Sequence, residues 1–233
     1  MDLRQRVDDP EENLRAAIEQ HISRIQTSAP ARVLAFDPGG AGKAPSVKLQ
    51  IGIKSFVKQE DGSQKAIDLP VLQDVPVHYP GGGGMNITFP LKVGDEGMVN
   101  FTSRSPDTWQ QSGGEQVPAD ASMHSLSNGY FTPGLKSNPN AIDGISTSST
   151  EIRSDDGKTK ISMSGAGGVG ISTDKQVGIS AANGVSIGGG AGETAITGTV
   201  RINGELIVND IVFSTHKHSG VQPGGGNSAG PTN

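Results

Sequence analysis

The chain has no cysteine among its 233 residues, so neither a disulfide framework nor a thiolate metal site can form. Aromatic residues are scarce at 4%, with one tryptophan and two tyrosines, so a face of stacked rings for nucleic acid has little to draw on. Apolar residues reach only 33%, too lean for one large globular core. Positive charge is not in excess. The formal net charge is −5 and no basic stripe is present, which argues against a nucleic-acid partner. No apolar run is long enough to span a bilayer, and the first residues are charged rather than signal-like. The expectation is a product made and folded in the cytoplasm.

Glycine is abundant, with 34 residues, and in the second half of the chain it punctuates a repeat. Apolar residues two apart recur at every eighth position: Ile161/Met163, Val169/Ile171, Val177/Ile179 and Val185/Ile187. Residues i and i+2 of a strand share a face, so each pair is one apolar edge. Between the pairs lie turn-forming corners such as Gly165-Ala166-Gly167-Gly168 and Ala181-Ala182-Asn183-Gly184. The pattern predicts short strands stacked as rungs of a β-helix or β-prism. Two small inward side chains per repeat cannot build a core around one chain, whereas three chains sharing an axis could. The expected state is an obligate homotrimer. Further on, the apolar positions run Ile196, Val200/Ile202, Leu206/Val208 and Ile211/Phe213, so the step shortens. A shaft that tapers in this way is a spike.

Upstream, Leu14, Ile18, Ile22 and Ile25 lie along one stripe at helical spacing. They predict a helix from Asp9 to Gln26, capped by Asp9, with Pro10 at its first position and Ala29-Pro30 as its stop. Such a helix either packs on its own domain or is an arm for a partner or sister chain. From Ala31 to about Gly134 the pattern is antiparallel β. Strands are expected at Arg32–Phe36, Val47–Ile53, Ile67–Val77 (an edge, because of Pro70 and Pro76), Met85–Phe89 and Met98–Phe101, with Gly94-Asp95-Glu96-Gly97 as a turn. Five strands in this length fit a small Greek-key barrel of the OB type, acting as a structural collar. The Ser-, Asn-, Pro- and Gly-rich run to Thr150 reads as a linker.

Nothing in the chain is arranged for catalysis, and it is expected not to be an enzyme. Gly81–Gly84 lacks the Lys-Ser/Thr of a phosphate loop, and the pairs Asp95-Glu96 and Asp155-Asp156 read as solvated corners. His21, His78 and His124 are isolated and read as surface or packing residues. His216 and His218 differ. Two apart on a strand, both imidazoles would face one way, and three chains would supply six nitrogens. Six imidazoles suit iron or nickel better than zinc. Taken alone, a His-x-His near a terminus is more often simply exposed to solvent.

One set of residues resembles a known family. Asp68 to Val77, Gly82-Gly83-Gly84, Thr88-Phe89-Pro90-Leu91, Gly94-Asp95, Phe101, Arg104, Trp109 and His124–Ser127 look like the N-terminal OB domain of bacteriophage tail-spike-tip proteins. These form the central spike beneath the baseplate of contractile tails. The resemblance implies an OB-fold collar, an intertwined trimeric β-helix spike, and a tip where His216 and His218 bind one iron ion per trimer. Gly220-Val221, Pro223-Gly224 and Gly230-Pro231 match the segment that folds over that point. The implied division is an arm (1–29), an OB domain (30–135), a linker (136–150), a shaft (151–213) and an apex (214–233). The implied function is a virion component that attaches to a baseplate hub protein and pierces the host outer membrane on sheath contraction. The alternative is a trimeric tail adhesin that binds surface glycan.

Overall fold

The computed structural model describes residues 10–188, 190, 192–217, 220 and 224. The expected cap Asp9, the expected ligand His218, and Val221, Pro223, Gly230 and Pro231 of the expected tip lie outside the described residues. The chain divides into two compact units that meet between Asp174 and Lys175. The protein is mainly β with a short N-terminal helix.

Helix α1 runs from Pro10 to Ile22 and buries none of its residues. Its apolar stripe, Leu14, Ile18 and Ile22, together with Ile25 just beyond it, is exposed, so α1 does not pack on its own domain. The helix stops well before the proline assigned as its end. Ser23 Oγ donates to the Gln20 carbonyl at 2.9 Å, and the next bonds, Arg24 N to His21 O and Ile25 N to Ile22 O, tighten to three-residue spacing. Pro30 instead sits inside a strand, where it lies opposite Met98.

The strands of the first unit are β1 (Ser28–Asp37), β2 (Ser46–Ile51), β3 (Ser55–Lys58), β4 (Gln64–Ile67), β5 (Leu72–Pro76), β6 (Gly81–Gly82), β7 (Met85–Asn86), β8 (Glu96–Phe101) and β9 (Gly129–Pro133). A short helix α2 (Asp107–Ser112) precedes β9. Five strands form one antiparallel sheet in the order β5-β2-β1-β8-β9. The pairs β3–β4 and β6–β7 are separate hairpins. Two β-bulges, between Val33 and Ala35 of β1 and between Val47 and Leu49 of β2, bend the sheet. It curls into an open half-barrel, and its ends touch at a single parallel bridge between Val77 and Phe131, where His78 N donates to Phe131 O at 2.8 Å.

The core fills the inside of this curl. Val33, Val47, Leu49, Val99 and Phe131 are its largest fully buried side chains. Each such side chain contributes roughly 1.5–3 kcal/mol. The main sheet therefore has five strands, as expected of the whole stretch, with one exchange. Met85–Phe89 supplies only the two-residue β7, and β9 takes its place in the sheet. Gly97 is also not a turn residue. The turn lies at Val93-Gly94, and Gly97 is buried in β8 against the Phe131 ring. A Cβ there would meet Phe131 Cζ and the Thr132 carbonyl oxygen, each at 2.5 Å. Gly97→Ala is expected to destabilise this domain by about 1–3 kcal/mol. Thermal unfolding followed by circular dichroism measures it, and an unchanged Tm would show that Phe131 yields without cost.

Beyond β9 a single 3₁₀ turn (Asn138–Asn140) leads to β10 (Ser149–Arg153), β11 (Lys160–Ser164) and β12 (Val169–Ser172). These form an antiparallel meander, not the stacked rungs expected of a shaft. A lone chain has no neighbour across which to stack. In the second unit the described residues from 175 to 206 form no strand, and β13 (Ile207–Val208) pairs with β14 (Ile211–Val212). Asn209 and Asp210, with φ of 49° and 62°, make the tight turn between them.

Candidate functional site

The meander is built inside out. Register places Ile152 opposite Ile161, Ile161 opposite Ile171, and Met163 opposite Val169, so the periodic apolar pairs form one continuous face. That face is open: Ile152, Ile161 and Ile171 are 60%, 46% and 60% exposed. The opposite face carries the charges and is the covered one. The Glu151 side chain is 10% exposed and pairs with Lys160 at 3.0 Å and with Arg153 at 3.5 Å. Arg153 in turn donates to the carbonyls of Gly144 (2.6 Å) and Asp143 (3.0 Å). A folded sheet normally covers its apolar side first.

The remaining repeats follow suit. Val177, Ile179, Val185, Ile187, Ile196, Val200 and Ile202 are all exposed, and no described residue after Phe131 is buried. A series of exposed apolar side chains of this length marks an interaction face.

Within the first unit, Glu96 of β8 fastens the sheet to the segment after β9. Its carboxylate accepts from the Ser137 backbone N–H (2.7 Å), Asn140 Nδ2 (2.8 Å) and Ser137 Oγ (2.9 Å). The Ser137 N–H foremost, then Asn140 and the Ser137 hydroxyl, holds the Glu96 carboxyl below the usual range. Glu96 is thus an anchor rather than a solvated corner, whereas Asp155 and Asp156 are exposed, on Lys136 (3.1 Å) and on Ser154 Oγ (2.6 Å). Because the folded value is the lower one, the contribution of Glu96 is complete above the ordinary carboxylate range. It is lost as pH falls through the depressed value. The Ser137 amide resonance should therefore titrate below the range of an exposed glutamate, and Glu96→Gln should remove that step. A titration at the ordinary glutamate value would contradict the anchor.

At the tip, the β13–β14 hairpin is extended by Phe213 N donating to Leu206 O at 2.8 Å, and Ser214 Oγ donates to Glu205. A turn over Phe213–Thr215 follows, so His216 lies beyond the strand rather than on it. Its ring stacks on Phe213 with centroids 5.0 Å apart. His216 Nδ1 lies 2.6 Å from the Phe213 carbonyl oxygen, which can only accept, so Nδ1 carries the proton. In a neutral imidazole this makes Nε2 the nitrogen with the lone pair, the tautomer and fixed orientation that a metal ligand needs. Among the described residues no cluster of three or more His, Asp or Glu could hold a metal within one chain. The donor set at hand thus fits a metal only if several chains contribute.

The other histidines sit elsewhere. His21 is on the exposed α1, His78 packs edge-on against Tyr130 at 5.9 Å, and the backbone of His124 bonds to Gln26 and Thr102. Sequence reasoning missed Phe213 as the support of His216 and Glu96 as an anchor.

Comparison with known families matches two parts of the chain. Residues 29–134 match the family described as phage protein Gp138 N-terminal domain, and residues 210–232 match the GpV apex motif. The chain carries domains associated with phage tail spikes, which supports a structural role in a phage tail or baseplate. A comparison with curated proteins found no match.

Proposed function

We propose that the chain is the subunit of a homotrimeric central spike at the point of a contractile phage tail. The observation that carries this reading is the open apolar face of the β10–β12 meander, continued by exposed apolar pairs to Phe213. Three copies turning these edges to a shared axis would remove them from water and wind into an intertwined β-helix. The half-barrel would serve as an OB-type collar attached to a hub protein of the baseplate. The narrowing end would pierce the outer membrane of the host when the sheath contracts.

His216 and His218 of three chains would hold one iron ion, which supplies a cross-link between the three chain ends. Phe213 contributes by fixing the His216 ring and its tautomer. The role needs no catalytic group. Load along the axis would be borne by the backbone ladder and by the packed apolar edges.

Location tests the reading. In tail particles assembled with an epitope-tagged copy, label should appear at the distal point of the baseplate, one focus per particle. Label on fibre ends or along the tube would contradict it, and fibre-end label with glycan binding would instead favour an adhesin.

A further inference from the structure

We propose that Asn203 is a site of spontaneous covalent modification, at which the side-chain amide is lost and an aspartyl or isoaspartyl residue takes its place. The chain holds asparagine directly before glycine at three positions, Asn128-Gly129, Asn183-Gly184 and Asn203-Gly204. Glycine has no Cβ, so its backbone nitrogen can swing onto the asparagine side chain that precedes it. The same local chemistry is thus present three times, and the structure sets the three apart. Asn128 is 2% exposed, its Nδ2 donates to Ser122 Oγ at 2.7 Å, and its Oδ1 accepts from Ser127 Oγ at 3.3 Å. Gly129 beside it lies in β9 opposite Phe101, and a Cβ there would meet Val99 at 3.0 Å. Asn183 is exposed, but Gly184 N donates to the Ala181 carbonyl at 3.2 Å. Asn203 and Gly204 are exposed in a bend, and neither makes a hydrogen bond among the described residues. A Cβ on Gly204 would meet nothing within 4 Å, so a ring has room to close there.

Solvent base removes the Gly204 amide proton, and the nitrogen attacks Asn203 Cγ. The N–Cγ bond forms as the Cγ–Nδ2 bond breaks, and ammonia leaves after taking a proton from solvent. The product is a cyclic imide. Water opens it at either carbonyl, to give aspartate or isoaspartate. An amide proton already committed to a carbonyl is harder to remove, which places Asn183 behind Asn203. A side chain locked beside a folded sheet reacts only when the structure opens locally, which places Asn128 last. The position matters to the chain. Asn203 stands at the corner between the apolar pairs Val200/Ile202 and Leu206/Val208. Either product adds a negative charge at that corner. The isoaspartyl link also routes the main chain through Cβ, which lengthens it and shifts one apolar pair relative to the other.

The three pairs fall on separate tryptic peptides, 105–136, 176–201 and 202–217. The full chain, held in mildly alkaline buffer made with heavy-oxygen water, is digested in ordinary water and mapped by mass spectrometry. Peptide 202–217 should take up the label first, with fragment ions separating Asn203 from Asn209. Label in 176–201 should follow more slowly. Peptide 105–136 should lag the leading one by about a hundredfold or more, since it waits on local opening. In strong urea the three should react at similar rates, so that the fold and not the local sequence ranks them. Gly204→Ala should slow conversion of Asn203 by about tenfold, because a Cβ crowds the attacking nitrogen. Circular dichroism of that variant should match the parent, because the space around Gly204 is empty. The proposal is overturned if Asn203 keeps its amide in the native chain while converting in urea, or if Asn183 or Asn128 converts as fast. It is equally overturned if the native ranking persists in urea, or if Gly204→Ala converts as fast as the parent.

Discussion

Ile161→Asp is expected to abolish assembly while leaving the collar folded. Ile161 is the central residue of the open face, opposite Ile152 on one side and Ile171 on the other. In the isolated chain the position is half exposed, so a carboxylate there is hydrated and costs little. In the assembly three carboxylates would be carried into a dry interface without partners, a penalty of several kcal/mol for each charge. The core of the collar, Val33 to Phe131, touches none of this. Size-exclusion chromatography should show the parent as one large species and the variant as a small one, with the collar's thermal transition retained. Ser164→Asp, on the opposite face of the same strand, is the control and should assemble normally. Equal assembly of Ile161→Asp and the parent would mean that this face stays in solvent.

Changing His216 and His218 together to Ala is expected to reduce bound iron from about one ion per three chains to none. The proposed six-nitrogen site would form only where three chain ends converge, so no single copy could compensate. Assembly should survive, because the apolar edges from Ile152 to Phe213 are untouched. Elemental analysis beside native mass separates the two effects. Phe213→Ala should act in part: the backbone carbonyl that accepts from Nδ1 remains, but the ring that supports His216 is lost. Iron should then be released by a chelator faster than from the parent. Iron retained in the double variant would place the site on other residues, and one ion per chain would exclude a shared site.

The collar was legible because its strands alternate. Val47-Lys48-Leu49-Gln50-Ile51 could only be a half-buried strand, and it is an inner strand of the sheet, between β5 and β1. Its misread members share one cause, in that short elements carry too little periodicity. Strand β9 is five residues framed by Gly129 and Pro133, so it resembles a loop although Phe131 is among the fully buried core residues. Helix α2 spans under two turns and has no apolar stripe to betray it. Pro30 drew the end of α1 too late, because it lies near the start of the central strand β1 rather than just after a helix.

The shaft shows the opposite limit. Its period is the clearest signal in the sequence, and the pairs Ile161/Met163 and Val169/Ile171 do share a face. The single chain leaves that face open to water, so its period was legible and its packing was not. The spacing of His216 and His218 was read as a strand, and the turn that takes His216 off it was not legible. Nor did spacing reveal Phe213 as its support, since that role depends on a carbonyl three residues back.

The most direct measurement is the mass of the full chain in solution by sedimentation equilibrium at micromolar concentration. Three copies of 24.0 kDa give about 72 kDa, and that single species should persist on dilution because no copy can cover its own apolar edge. A folded, monodisperse species of 24.0 kDa would contradict the account.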